Sequence, residues 1–249
     1  MTFEEAVDEL VLANKILATQ DVLDAYGHVS VRNPEDPEIF LQSCSRSAYL
    51  VEADDIMAFR LDGTRTDSGD VRPPYLERFI HAAIYEARPE ITCVIHAHTE
   101  AILPFTVTDT PFVPVFHNAS EVGPTVAKWD IRTRFGDATD LLVTDMDRGR
   151  DLAGALADGR LVLMRGHGYA LGGATVVRTV STAVDLAVNA RVLLAAHQLG
   201  GPITALSPGE GRARRGSGTG TAFDPDGPAV RRGWDYWAAR VHASKETTR

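Results

Sequence analysis

Apolar and polar positions along this chain follow two rhythms, one helical and one alternating, and these set the elements it predicts. Phe3, Val7, Leu10, Val11, Asn14 and Leu17 recur on one helical face, which predicts a first helix running to about Asp24 with Gly27 ending it. Thr2 and Glu5 stand in the T-x-x-E spacing that satisfies free N–H groups at a helix start. Short β-rich runs follow: HVSVR from His28, IFLQS from Ile39, and IMAFRL from Ile56, the last closing on the hairpin signal Asp62-Gly63. Pro73 and Pro74 introduce a second helix over 75–87, stopped by Arg88-Pro89. ITCVIHAH from Ile91 reads as a buried strand, and FVPVF, LLVT and LVLMR from Phe112, Leu141 and Leu161 as further strands. The longest predicted helix covers 175–199 and stops at Gly200-Gly201-Pro202. Strands and helices mixed over short connections imply a layered α/β or α+β sandwich.

Composition narrows the class. With 249 residues, 44% of them hydrophobic, the chain carries enough apolar material for one core without disulfides or a structural metal. A shift to Gly, Ser, Thr and Arg in SPGEGRARRGSGTG predicts a mobile loop over 207–222, with Arg212, Arg214 and Arg215 solvated. The organisation expected is a catalytic domain over 1–206, that loop, and an aromatic helical tail over 223–249 that packs on the domain or on a neighbouring subunit. A net charge of −9 argues against nucleic acid and anionic membranes, since both reward a basic face. The acidic N-terminus lacks the basic and apolar regions of a signal peptide, and no apolar run is expected to approach the ~20 residues that span a bilayer. Cys44 and Cys93 form no CxxC pair, so a reduced, cytoplasmic setting is expected.

The residues that carry chemistry are histidines. His96 and His98 stand two apart at the end of a strand, so both imidazoles leave the same face. Read alone, they fit a metal site or a partly exposed pair equally well. His167 sits between two glycines after an apolar run, where a sharp turn projects its side chain; by itself it is a turn histidine. Together the three offer neutral nitrogen donors with open coordination positions, the pattern of a catalytic metal site. Glu77, near the start of the second helix, is placed either to complement the helix dipole or to act as a general acid/base.

In this order the segments Gly27-His28-Val29-Ser30-Val31-Arg32, Glu77, His96-Ala97-His98 and His167-Gly168 resemble the class II aldolase/adducin-head family. The resemblance covers about the first two hundred residues and implies a three-layer α/β/α sandwich around a largely antiparallel central sheet. It implies one divalent ion per subunit (Mn, Zn, Fe or Co) on His96, His98 and His167, with Glu77 as the catalytic acid/base. It also implies a homotetramer with active sites between subunits. His117 is read as structural.

Departures from the family pattern bear on the substrate. His28 replaces an asparagine, LQSCSRSAYL replaces a phosphate-binding loop, and Tyr75-Leu76 replaces a serine pair. Arg46, flanked by Ser45 and Ser47, suits a planar carboxylate rather than a phosphate cradle. The variant segments are similar to a branch holding hydroxy-methylpyridine-dicarboxylate and dihydroxyphthalate decarboxylases and non-haem iron oxygenases of prenylated hydroxyphenylpyruvate. The expected activity is decarboxylation of a hydroxylated aromatic or heteroaromatic dicarboxylate through a metal-stabilised enolate or carbanion. Ser45, Arg46, His28, Arg165 and Tyr236 are the expected substrate contacts, with Trp234 and Trp237 as lid or anchor. Competing readings are an aldolase for a non-phosphorylated hydroxy-keto acid, a non-haem Fe(II) oxygenase of a hydroxyphenylpyruvate-like acid, and a non-catalytic adducin-like module. The last is disfavoured because the metal histidines and Glu77 are retained.

Overall fold

A computed structural model of the chain describes residues 1–214 and 227–247. The strands are β1 (His28–Arg32), β2 (Ile39–Ser43), β3 (Ile56–Arg60), β4 (Cys93–Ala97), β5 (Ala127–Trp129), β6 (Leu161–Met164) and β7 (Gly168–Gly173). The α-helices are α1 (Phe3–Thr19), α2 (Arg78–Ala87), α3 (Leu103–Val107), α4 (Arg132–Phe135), α5 (Met146–Leu156), α6 (Val176–Gln198), α7 (Pro208–Arg214) and α8 (Pro228–Thr247). All seven strands join one sheet in the order β3-β2-β1-β4-β7-β6-β5. Among the described residues only the β5–β6 pair is parallel.

Alternation along the strands feeds two apolar layers. Val29, Ile95, Leu163 and Leu171 pack with Leu10 and Leu17 of α1 and Val180 and Leu186 of α6. On the other face Phe40, Val94, Val162 and Ala170 pack with Ile80 and Ile84 of α2 and Leu152 and Leu156 of α5. The result is the α/β/α sandwich with a largely antiparallel sheet. By length and composition α6 is apolar enough to cross a bilayer, against the expectation that no run approaches that length. In the fold its apolar residues are spent on the core beneath α1 and the sheet. Val230, Trp234 and Val241 of α8 are buried in the same layer.

Several boundaries differ from expectation for identifiable reasons. The capping box of Thr2 and Glu5 forms, but α1 ends at Thr19 rather than near Asp24. Asp24 instead turns the chain, its Oδ1 accepting from the backbone N–H groups of Tyr26 and Gly27. FVPVF is extended but joins no sheet, because Asn189 of α6 takes the place of a neighbouring strand. Its Oδ1 accepts from Val115 and Phe116, and its Nδ2 donates to the Val113 carbonyl. LLVT is not a strand either; Leu141 has φ +68°, and the segment wraps the site described below. Residues 208–214, expected in a loop, form α7; 215–222 of that loop and 223–226 of the tail lie outside the described residues.

Candidate metal centre and its cleft

His96 is pinned from both sides by the sheet, paired in register with His28 of β1 and Ala170 of β7. His98 follows two residues on, just past the end of β4. The turn from β6 to β7 carries His167, with Gly166 in the left-handed region at φ +65°. A side chain on Gly168 would run into the Ala97 carbonyl, so only glycine lets the two chains approach this closely. That approach sets the His98 and His167 rings face to face, 5.1 Å between centroids. Glu77 occupies the N-cap position of α2, and the backbone N–H of Val143 donates to its Oε1 over 2.9 Å.

Each histidine is oriented through its Nδ1. His96 Nδ1 lies 3.0 Å from the Tyr169 carbonyl, His167 Nδ1 3.1 Å from the Leu141 carbonyl, and His98 Nδ1 3.1 Å from Asp24 Oδ2. A nitrogen facing a carbonyl or carboxylate oxygen must carry its proton, so all three Nε2 atoms are left as lone-pair donors. They converge: His96 and His98 Nε2 are 3.1 Å apart, and Glu77 Oε2 lies 3.5 Å from His96 Nε2 and 3.3 Å from His167 Nε2. The four ligand atoms fall within 4.8 Å of one another. Four acceptors turned inward on one point repel each other unless a cation lies between them. The donor set therefore fits a divalent metal of the N/O-binding kind, and ligand type does not select among Mn, Fe, Co and Zn.

Electrostatics follow the same geometry. In the metal-free protein burial raises the Glu77 carboxyl, but the positive charge of His96 and His167, and the hydrogen bonds their Nε2 atoms give it when those rings are protonated, outweigh burial and hold the group far below the usual carboxylate range. Burial lowers His98, assisted by His96 and opposed by Asp24. Burial would lower His167 too, yet its hydrogen bond to Glu77 prevails and raises it. His28 and His81 are pushed well below the imidazole range by burial, with neighbouring imidazoles adding to the effect.

The centre forms one wall of a cleft of about 600 Å³. His28, Ser45, Arg46, Tyr75, Leu142 and His167 are among its lining. Arg46 is about half exposed, its Nε donating to the Leu50 carbonyl and lying 3.3 Å from Asp55 Oδ2. Two expected contacts are displaced from this cleft. Arg165 continues β6, its backbone N–H donating to Trp129 of β5, and its side chain faces Asp130 at 3.0 Å. Tyr236 is 60% exposed on α8 beside Arg240 and does not line the cleft of its own chain; Trp234 anchors the tail instead. His117 borders a separate hollow with Arg178 and Asp185. Tyr75, singled out in the sequence as part of the replaced serine pair, does line the cleft, whereas Asp24 and His81 escaped the sequence reading. Asp24 carries no local signal, because its partner His98 lies far along the chain; His81 stands in the helix that begins beside Glu77, on the face turned to β1.

Comparison with known proteins matches residues 8–194 to the model for the class II aldolase and adducin N-terminal domain. The chain is 33% identical to decarboxylase tropJ of Talaromyces stipitatus, over 71% of each chain. It is 25% identical to the 3,4-dihydroxyphthalate decarboxylase of Arthrobacter keyseri, covering 82% of this chain and 83% of that one. Among solved structures, the L-fuculose 1-phosphate aldolase of Glaciozyma antarctica superposes with a TM-score of 0.74 at 22% identity, covering 98% of this chain and 91% of that one.

Proposed function

The chain belongs to the class II aldolase and adducin N-terminal domain family, and from that premise we propose that it is a divalent-metal-dependent lyase that decarboxylates a hydroxylated aromatic or heteroaromatic carboxylate. The observation that carries this reading is the convergence of three imidazole lone pairs and one carboxylate oxygen at the wall of a cleft that also displays Ser45 and Arg46. His96, His98 and His167 would hold the ion, with Glu77 beside it. A divalent cation bound there supplies Lewis-acid stabilisation of negative charge on substrate oxygens.

The chain's own groups divide the remaining work. Glu77 enters as a carboxylate, the form that accepts the Val143 N–H at Oε1. It takes the proton of the substrate's hydroxyl and returns it to the ring carbon; the bond from that carbon to the carboxylate then breaks, its electron pair returning to the ring as carbon dioxide leaves, and the phenolate oxygen regains a proton from water. Val143 keeps one Glu77 oxygen engaged, so the other faces the reacting atoms. Arg46 offers its fork to a second carboxylate in exchange with Asp55, and Ser45 adds a hydroxyl. The names of the two decarboxylase relatives support the reaction type, and the loss of a phosphate-binding loop supports a non-phosphorylated acid. We further propose a cytoplasmic homotetramer with its sites at subunit interfaces.

The test is a panel of hydroxyphthalates and hydroxypyridine dicarboxylates incubated with protein loaded with Mn, Fe, Co or Zn. Metal-dependent release of carbon dioxide is expected for at least one compound. Release of an aldehyde from hydroxy-keto acids, or oxygen uptake with the iron form, in its place would replace this reading with the aldolase or the oxygenase.

A further inference from the structure

Behind the cleft lies a buried chain of polar groups that the metal centre does not use. His28 Nδ1 is 2.7 Å from His81 Nε2. His81 Nδ1 is 2.6 Å from Ser30 Oγ, and Ser30 Oγ is 2.8 Å from the Tyr85 hydroxyl. Ser30 and His81 are fully buried, and Tyr85 and His28 nearly so. The chain links two elements: His28 and Ser30 project from one face of β1, while His81 and Tyr85, one helical turn apart, project from the face of α2 packed on it.

Such a chain can run in two directions, because each imidazole donates from one nitrogen and accepts at the other. If it runs inward, from His28 to Tyr85, the Tyr85 proton has, among the described residues, only the Thr92 carbonyl at 3.5 Å to receive it, a poor bond. If it runs outward, Tyr85 donates to Ser30, Ser30 to His81 Nδ1, and His81 Nε2 to His28 Nδ1, all at 2.8 Å or less. The Gln42 amide nitrogen, 3.2 Å from His28 Nδ1, faces the same lone pair at longer range than His81 Nε2 at 2.7 Å, and a proton on Nδ1 would set donor against donor there. With Nδ1 accepting, the ring proton of His28 sits on Nε2. That atom makes no hydrogen bond to the protein among the described residues, and the His28 ring lines the cleft beside Tyr75, 4.3 Å between centroids.

We propose that His28 is a fixed hydrogen-bond donor to an anionic oxygen of the substrate, and that Tyr85, Ser30 and His81 are positioning residues that impose its Nε2–H tautomer. The inference rests on the reading of the cleft as the substrate site. A neutral imidazole locked this way offers directional donation without a second positive charge beside the metal. An asparagine at position 28 would donate too, but its amide would not need the polarity of the chain behind it. The burial that keeps His28 and His81 uncharged is consistent with this arrangement.

The experiment is imidazole nitrogen NMR on zinc-loaded, full-length protein, with wild type compared to Ser30→Ala and Ser30→Thr. In wild type the ring proton of His28 is expected on Nε2. Ser30→Ala removes the donor to His81, so His28 should become a mixture of tautomers, and the threonine hydroxyl should restore the single form. A proton on Nδ1 in wild type, or an unchanged tautomer in Ser30→Ala, overturns the proposal. A companion titration with phthalate reads the substrate side. Binding weakened about tenfold in Ser30→Ala at equal zinc content supports donation to the ligand, and equal binding overturns it. If phthalate does not bind the wild type at all, the aromatic dicarboxylate of the proposed function fails, while the tautomer measurement still decides the donor.

Discussion

Asp24 and Glu77 show how a single atom decides what a side chain does at this centre. Asp24 Oδ2 holds the proton on His98 Nδ1; an amide nitrogen in its place would present a second donor and drive that proton to Nε2, where the lone pair is needed. Asp24→Asn is therefore expected to weaken metal binding about 10- to 100-fold, measured by competition with a chromogenic chelator, with turnover largely kept at saturating metal. Glu77→Gln leaves three imidazoles, so most metal should remain, while loss of the proton carrier should lower turnover at least ~100-fold. Metal analysis together with carbon dioxide release checks both halves, and an active Gln variant removes Glu77 from the chemistry.

At the scale of elements, close backbone approach matters more than side-chain attraction. Gly168→Ala sets a methyl group against the Ala97 carbonyl and, at 3.0 Å, the His98 ring. It should cost roughly 2 kcal/mol or more as strain, as overpacking in a rigid interior does, and loosen metal binding as well. Gly154, exposed in α5 with nothing near its Cβ position, is the control: Gly154→Ala should stabilise by about 0.5–1 kcal/mol. Denaturation midpoints compare the two. The same logic explains what could be read from sequence. β1, β2 and α6 were legible because their periodicity is local. β7, GYALGG, was hidden by glycines, yet a side chain at Gly172 would meet Ile91 and one at Gly173 would meet Thr179. FVPVF and LLVT have strand composition, but Asn189 and Glu77 claim their backbone groups. The histidines and Glu77 stood out as motifs, whereas Asp24 and His81 acquire meaning only from partners that the fold brings to them.

For the whole molecule, titration of the buried imidazoles dictates a direction. His28, His81 and His98 have lowered pKa values in the fold, so their contribution is complete above the unfolded value of about 6.5 and is lost as pH falls below it. Glu77, also lowered, adds a second loss as pH falls below its unfolded value of about 4.5. His167, raised, has the opposite sign, its contribution fading as pH rises through its folded value. Asp185, its carboxyl pushed up to about 6 by burial, opposes as His167 does, so three groups stand against two and the metal-free protein should lose stability between pH 7 and 5, by at most about 1.4 kcal/mol per pH unit for each net proton taken up on unfolding. Denaturant midpoints across that range test it, and a midpoint that rises on acidification would contradict the burial assigned to His28 and His81.

The three Nδ1 anchors come from distant stretches of chain: Asp24 after α1, Tyr169 in β7, and Leu141 in the loop before α5. An ion gripped by the rings they orient acts as a clasp across the molecule, closing large loops of chain much as a covalent cross-link would, but reversibly. Its removal should be felt well beyond the cleft. Amides around residues 22–28, 139–144 and 165–170 are expected to gain hydrogen exchange together when a chelator strips the ion. If only the cleft-lining amides responded, the centre would be an ornament on a sheet that holds itself together without it.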